Sequence, residues 1–131
     1  MTSILVVEDD DQLRTMLTRL LTSSGYEVWE APNGRGVCDL YRQHGFDLVI
    51  TDLVMPEIEG LEMITELRRI NHNVRIIAMS GGGQGGRQAK AEEYLLLAEK
   101  LGAQITLTKP FDNQELLDAV HLLLEAQAHV S

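Results

Sequence analysis

Cysteine is almost missing from this chain: Cys38 stands alone among 131 residues. No internal disulfide can form, and a reducing compartment is the expectation. Basic charge is also scarce, with 11 Lys and Arg against 20 Asp and Glu and a formal charge of −9. Nucleic acid and anionic membrane both ask for a basic footprint, so neither is expected as a direct partner. No apolar run approaches the length of a membrane span, and the opening MTS has no basic region of the kind that starts a secretion signal. A cytoplasmic location is the default. The four histidines, His44, His72, His121 and His129, lack metal-ligand spacing and are given no role. Internal repeats, linkers and a compositional break are missing too, so residues 1–131 read as one domain without an output domain.

What is present is an alternation. Strand-like runs fall at residues 4–7, 27–30, 48–51, 75–79 and 105–107. Between the first two, Leu13, Met16, Leu17, Leu20 and Leu21 form one helical stripe, which Gly25 terminates. Residues 35–44, closed by Gly45, then 61–70, and 88–101, ended by Gly102, read as further helices. A last helix starts at Asp112, with Glu115 three residues on as its capping-box partner, and runs through Leu116, Val120, Leu123 and Leu124. Strands and helices in strict alternation imply a doubly wound parallel sheet with helices on both faces.

The stretch ILVVEDDD, residues 4–11, poses the chemical question. A strand buried on both faces runs straight into Glu8, Asp9, Asp10 and Asp11, and neighbouring like charges destabilise one another. Asp10 and Asp11 fit the start of a helix, where free N–H groups and the dipole welcome acids. Glu8 and Asp9 ask for more. In open parallel sheets ligands bind at the carboxyl ends of the strands, at the point where strand order reverses. The other strand ends carry Asp52 in TDLVMP, Ser80 in AMSG and Lys109 in TKP. Three carboxylates, a hydroxyl and an ammonium on one rim suit Mg²⁺ and a phosphoryl group. Mg²⁺ takes oxygen ligands, a carboxylate can accept a phosphoryl group as nucleophile, and phosphoryl transfer asks mainly for positioning and charge neutralisation.

The segments VVEDD, TDLVMPEIEG, AMSG and TKPF, in this order at successive strand ends, resemble the receiver domain of two-component response regulators over essentially the whole chain. The resemblance implies a flavodoxin-like fold of five parallel strands in the order 2-1-3-4-5 with five helices. It implies that Asp52 is the phosphoacceptor, that Asp9 binds Mg²⁺ directly and Glu8 through water, and that the Val54 carbonyl is a further metal ligand. Ser80 would hydrogen-bond one phosphoryl oxygen and Lys109 would pair with another, while Lys109–Pro110 would be a cis peptide. The donor would be a sensor histidine kinase or a histidine phosphotransfer protein, and the output a shape change read by a downstream protein. The chain would then be a signalling protein rather than an enzyme, catalysing only its own phosphorylation and dephosphorylation. Val54 and Gly82, at positions that help place the hydrolytic water in the family, offer no side-chain hydrogen bond, which implies slow dephosphorylation.

Alternatives remain in view. The chain could be an intermediate that hands the phosphoryl group onward in a phosphorelay. A small Mg²⁺-dependent phosphatase would share the aspartyl nucleophile but usually carries an acid two residues later, where Val54 stands. Gly81, Gly83 and Gly86 formally fit a dinucleotide-binding G-x-G-x-x-G, but they follow the fourth strand, and no acid sits about 20 residues beyond. A phosphate loop fails because Arg87 and Gln88 occupy the positions of its Lys and Ser or Thr. Two features depart from the receiver pattern. The segment from Ser80 to Lys109 is longer than usual, with the excess at the glycine-rich stretch, and Thr106 stands where a switching aromatic is common. Both features direct attention to residues 81–86 and to the helix carrying Tyr94, Leu95 and Leu97 as the route by which the signal leaves.

Overall fold

The computed structural model describes residues 1–53, 59–81 and 86–128, with backbone alone at 59, 86–92, 94 and 126–128. The chain order is β1 (Ser3–Val7), α1 (Asp11–Ser23), β2 (Glu27–Ala31), α2 (Val37–His44), β3 (Leu48–Asp52), α3 (Glu59–Ile70), β4 (Ile76–Gly81), α4 (Gly86–Leu101), β5 (Ile105–Lys109) and α5 (Asn113–Ala128). All pairings are parallel, and the sheet runs β2-β1-β3-β4-β5.

Alternation along the strands divides the core. Leu5, Val7, Val49, Ile76 and Ala78 face one side and pack with Val37 and Tyr41 of α2, Ile64 and Leu67 of α3, and Ala98 of α4. Ile4, Val6, Leu48, Ile50, Ile77 and Met79 face the other and pack with Leu17 and Leu21 of α1 and Leu116 and Val120 of α5. A strand covered on both faces is apolar through its interior, which is why the middles of β1, β3 and β4 read as apolar runs.

Helix ends follow local chemistry. The Asp10 carboxylate accepts from the N–H groups of Gln12 and Leu13 and caps α1. At α5 the capping box forms, Asp112 accepting from the Glu115 N–H at 2.8 Å while Glu115 accepts from the Asp112 N–H at 3.4 Å. Gly25, Gly45 and Gly102 follow their helices with positive φ, as terminators do.

Boundaries differ from expectation by a residue or two. The second helix begins at Val37 rather than 35, because Gly36 adopts a left-handed conformation at its N-cap. Helices α3 and α4 each begin two residues earlier than their apolar pattern suggested, at Glu59 and Gly86. Strands β4 and β5 extend through Ser80 to Gly81 and through Thr108 to Lys109, since parallel pairing continues past the apolar run. Among the described residues no helix is long and apolar enough to cross a membrane.

Candidate functional site

The order of the sheet reverses between β1 and β3, which lie side by side with Val7 opposite Thr51. Helices leave to opposite faces at such a point, so a crevice opens beyond the strand ends. Glu8 and Asp9 follow β1 into it, and Asp52 closes β3. Carboxylate oxygens of Glu8, Asp9 and Asp52 all lie within 4.8 Å of one another. Glu8 is fully buried and Asp52 is 3% exposed, while Asp9 is open to solvent.

Lys109 reaches in from the end of β5. Its Nζ donates to Glu8 Oε1 at 2.7 Å and lies 3.3 Å from Asp52 Oδ2. The following Lys109–Pro110 peptide is cis. Ser80, on β4, is fully buried, and its Oγ has no hydrogen-bond partner among the described residues. A buried hydroxyl left unpaired costs free energy, so this one stands ready for an incoming acceptor.

The site is electrostatically tense. Burial drives the Glu8 carboxyl up from its usual 4.5 to about 7, with Lys109 pulling against this and Asp52 reinforcing it. For Lys109 burial acts to lower the value, but the bond to Glu8 and the Asp52 charge outweigh it, and the ammonium is held above its usual range. Three acids meet one ammonium here. The oxygen-only donor set, one acid of it solvent-facing, fits Mg²⁺, which coordinates through one or two carboxylates and keeps several waters. A phosphoryl oxygen fits the open capacity of Ser80 Oγ and Lys109 Nζ.

Thus Glu8, Asp9, Asp52, Ser80 and Lys109 come from four strand ends to one crevice. Thr106 lies half-buried on β5, opposite Ala78 in register. Val54 and Gly82 lie outside the described residues, as do Met55, Pro56 and Gly83. Asp11 turns away from the crevice and pairs with Arg14 at 2.6 Å. Of the histidines, His44 packs against Trp29 with ring centroids 4.2 Å apart and the planes tilted by 45°.

Gly60 and Arg14 carry more than their sequence positions indicated. Gly60, one residue before the expected helix of residues 61–70, lies within α3, and a Cβ there would come within 2.9 Å of both the Asp52 carbonyl oxygen and Leu53 Cα. It permits α3 to lie close on the backbone that carries Asp52. Arg14 escapes sequence reasoning. Its signal is a charged residue three and seven positions before the buried Leu17 and Leu21.

A doubly wound α/β domain with a lysine-bridged acidic crevice at its switch point has the oxygen donors and the cationic group that suit a divalent cation and an anionic ligand. The particular family is clear from comparison: residues 4–121 match the response regulator receiver domain, and the chain belongs to that family. It is 34% identical over 119 residues to the chemotaxis protein CheY of Thermotoga maritima, covering 90% of this chain and 93% of that one. It is 30% identical over 126 residues to the sporulation initiation phosphotransferase F of Bacillus subtilis, covering 96% of each. Among solved structures, a response regulator receiver domain protein from Clostridium thermocellum superposes with a TM-score of 0.86 at 26% identity over the whole of both chains. The response regulator protein TrrA of Thermotoga maritima, solved in complex with Mg²⁺ and BeF, gives 0.73 at 31% identity over 94% of this chain and 99% of that one. The chain is therefore a CheY-like receiver domain of two-component systems. Domains of this family take phosphate from histidine kinases, bind Mg²⁺ at an acidic site and act on downstream targets.

Proposed function

We propose that Asp52 accepts a phosphoryl group from the phosphohistidine of a sensor kinase or phosphotransfer protein. The observation that supports this most directly is the placement of Lys109 Nζ 3.3 Å from a nearly buried Asp52 carboxylate, with the buried Ser80 hydroxyl near the end of the adjacent strand β4. An Asp52 oxygen attacks phosphorus in line with the leaving imidazole nitrogen. The P–O bond forms as the P–N bond breaks, and the electron pair goes to the imidazole. Lys109, already charged and fixed by Glu8, neutralises one equatorial oxygen, and Ser80 Oγ donates to another. Asp9 directly, Glu8 through water and the Val54 carbonyl are the residues assigned to hold Mg²⁺, which supplies charge neutralisation to the transferring group. The carboxylate of Glu8 supports its indirect role: Lys109 occupies Oε1 and the Asp10 N–H donates to Oε2 at 3.1 Å.

The proposal extends to a receiver domain that signals by conformational change to a protein partner, acting in the cytoplasm. Val54 and Gly82 support slow loss of the phosphoryl group, which suits a persistent signal or one passed onward in a relay. Incubation with acetyl phosphate and Mg²⁺ followed by intact mass measurement tests the core of this reading. One added phosphoryl group is expected in the natural protein, and none in Asp52→Asn or in the presence of a chelator. An adduct that survives Asp52→Asn would sink the assignment.

A further inference from the structure

Asp9 is the exposed member of the acid trio, yet the backbone on both sides of it is tied down. The peptide plane after it is held by the Asp10 N–H, which donates to Glu8 Oε2 at 3.1 Å. The plane before it is held by Arg14, whose Nη1 donates to the Glu8 carbonyl oxygen at 2.8 Å. The Glu8 N–H meanwhile bonds the Ala31 carbonyl at 3.0 Å, closing the β1–β2 ladder.

The Arg14 guanidinium does this with all of its nitrogens engaged. Nη2 bonds Asp11 Oδ1 at 2.6 Å, and Nε lies 3.5 Å from Glu30 Oε1 on β2. The Arg14 side chain is only 16% exposed. One planar fork therefore joins the end of β1, the first turn of α1 and the edge strand, and a lysine could not reproduce it.

We propose that Arg14 is a positioning residue for Asp9: by fixing the Glu8–Asp9 peptide plane it sets the direction in which the Asp9 carboxylate meets Mg²⁺. The proposal rests on the assignment of Asp9 as a metal ligand. Its physical logic is that of an outer partner that orients a ligand, here through the main chain rather than the side chain. It also opposes the simplest electrostatic expectation. A guanidinium near a cation site repels the cation, so charge alone predicts tighter Mg²⁺ binding when Arg14 is removed.

Calorimetric titration with Mg²⁺, paired with thermal unfolding in chelator, separates these effects. Arg14→Gln is expected to weaken Mg²⁺ binding roughly tenfold, the lower end of what outer partners of metal ligands contribute. Arg14→Lys, which keeps the charge and guards against a glutamine variant that fails to fold, is expected to weaken binding as well. In metal-free protein the amide NMR signals of Asp9 and Asp10 are expected to move in both variants. Unchanged or tighter Mg²⁺ binding in a folded Arg14→Gln or Arg14→Lys protein would overturn the proposal, whatever the change in unfolding temperature. Asp9→Ala in the natural background distinguishes the two levels: if it binds Mg²⁺ as well as the natural protein does, the metal-ligand assignment itself is wrong.

Discussion

Glu8 shows most clearly what a single residue contributes. A fully buried carboxyl whose value stands at about 7, against the usual 4.5, binds its proton more tightly in the folded chain than in the unfolded one. With the folded value raised, its stabilising contribution is complete below pH 4.5 and is lost as the pH rises to about 7. The loss is on the order of 3 kcal/mol, since each tenfold change in proton affinity is worth about 1.4 kcal/mol. Urea unfolding in chelator between pH 5 and 8 should therefore show a falling trend that Glu8→Gln flattens. Parallel trends in the two proteins would count against a strained Glu8. If Mg²⁺ binds at this crevice as proposed, its uptake is expected to weaken as the pH drops below about 7, because the proton competes for the acidic groups. The acids themselves were legible in the sequence, because acids crowded against a buried strand need a cation or a helix start to offset their repulsion. The unpaired state of Ser80 Oγ and the reach of Arg14 to Glu30 were not, because both depend on residues far away in the chain.

Single elements explain why the crevice is where it is. The strand interiors were readable because burial on both faces forces continuous apolar runs. Their ends were not, because Ser80 and Lys109 belong to strands whose hydrogen-bonded ladder continues into polar sequence, with Gly81 opposite Lys109. Element α3 makes the same point through Gly60, whose missing side chain lets the helix lie on the Asp52–Leu53 backbone. An alanine there would gain about 1 kcal/mol of helix propensity in an open helix. Here its Cβ would press on main-chain atoms at 2.9 Å, which cannot swing aside as a flexible side chain would. Overpacking of this kind costs about 1–3 kcal/mol and outweighs the gain. Gly60→Ala is expected to lower the unfolding temperature by several degrees and to slow phosphorylation by acetyl phosphate, because the displaced backbone carries Asp52. A variant as stable and as reactive as the natural protein would show that the contact relaxes freely.

At the scale of the whole molecule the two groups assigned to grip the phosphoryl oxygens sit together on one side of the sheet. Ser80 is on β4 and Lys109 on β5, adjacent strands with Ser80 opposite Thr108. Among the described residues, none of the crevice's acids nor its lysine comes from the opposite edge, β2 with α2 behind it. A pull on Ser80 Oγ and Lys109 Nζ is therefore delivered to β4, β5 and the helix between them. Thr106 on β5 is too small to act as a swinging aromatic, so little of the change can pass through that position. Helix α4 on one face of the sheet and α5 on the other each expose apolar side chains: Leu96 is 59% and Leu97 44% exposed on α4, and Leu122 is 62% exposed on α5. Beryllofluoride with Mg²⁺, which mimics an aspartyl phosphate, should accordingly slow amide hydrogen exchange in β4, α4 and β5 while leaving β2 and α2 unchanged. Equal changes at both edges would mean that the signal spreads through the sheet as a unit. No change in α4 would mean that phosphorylation leaves by another route than the edge that Ser80 and Lys109 share.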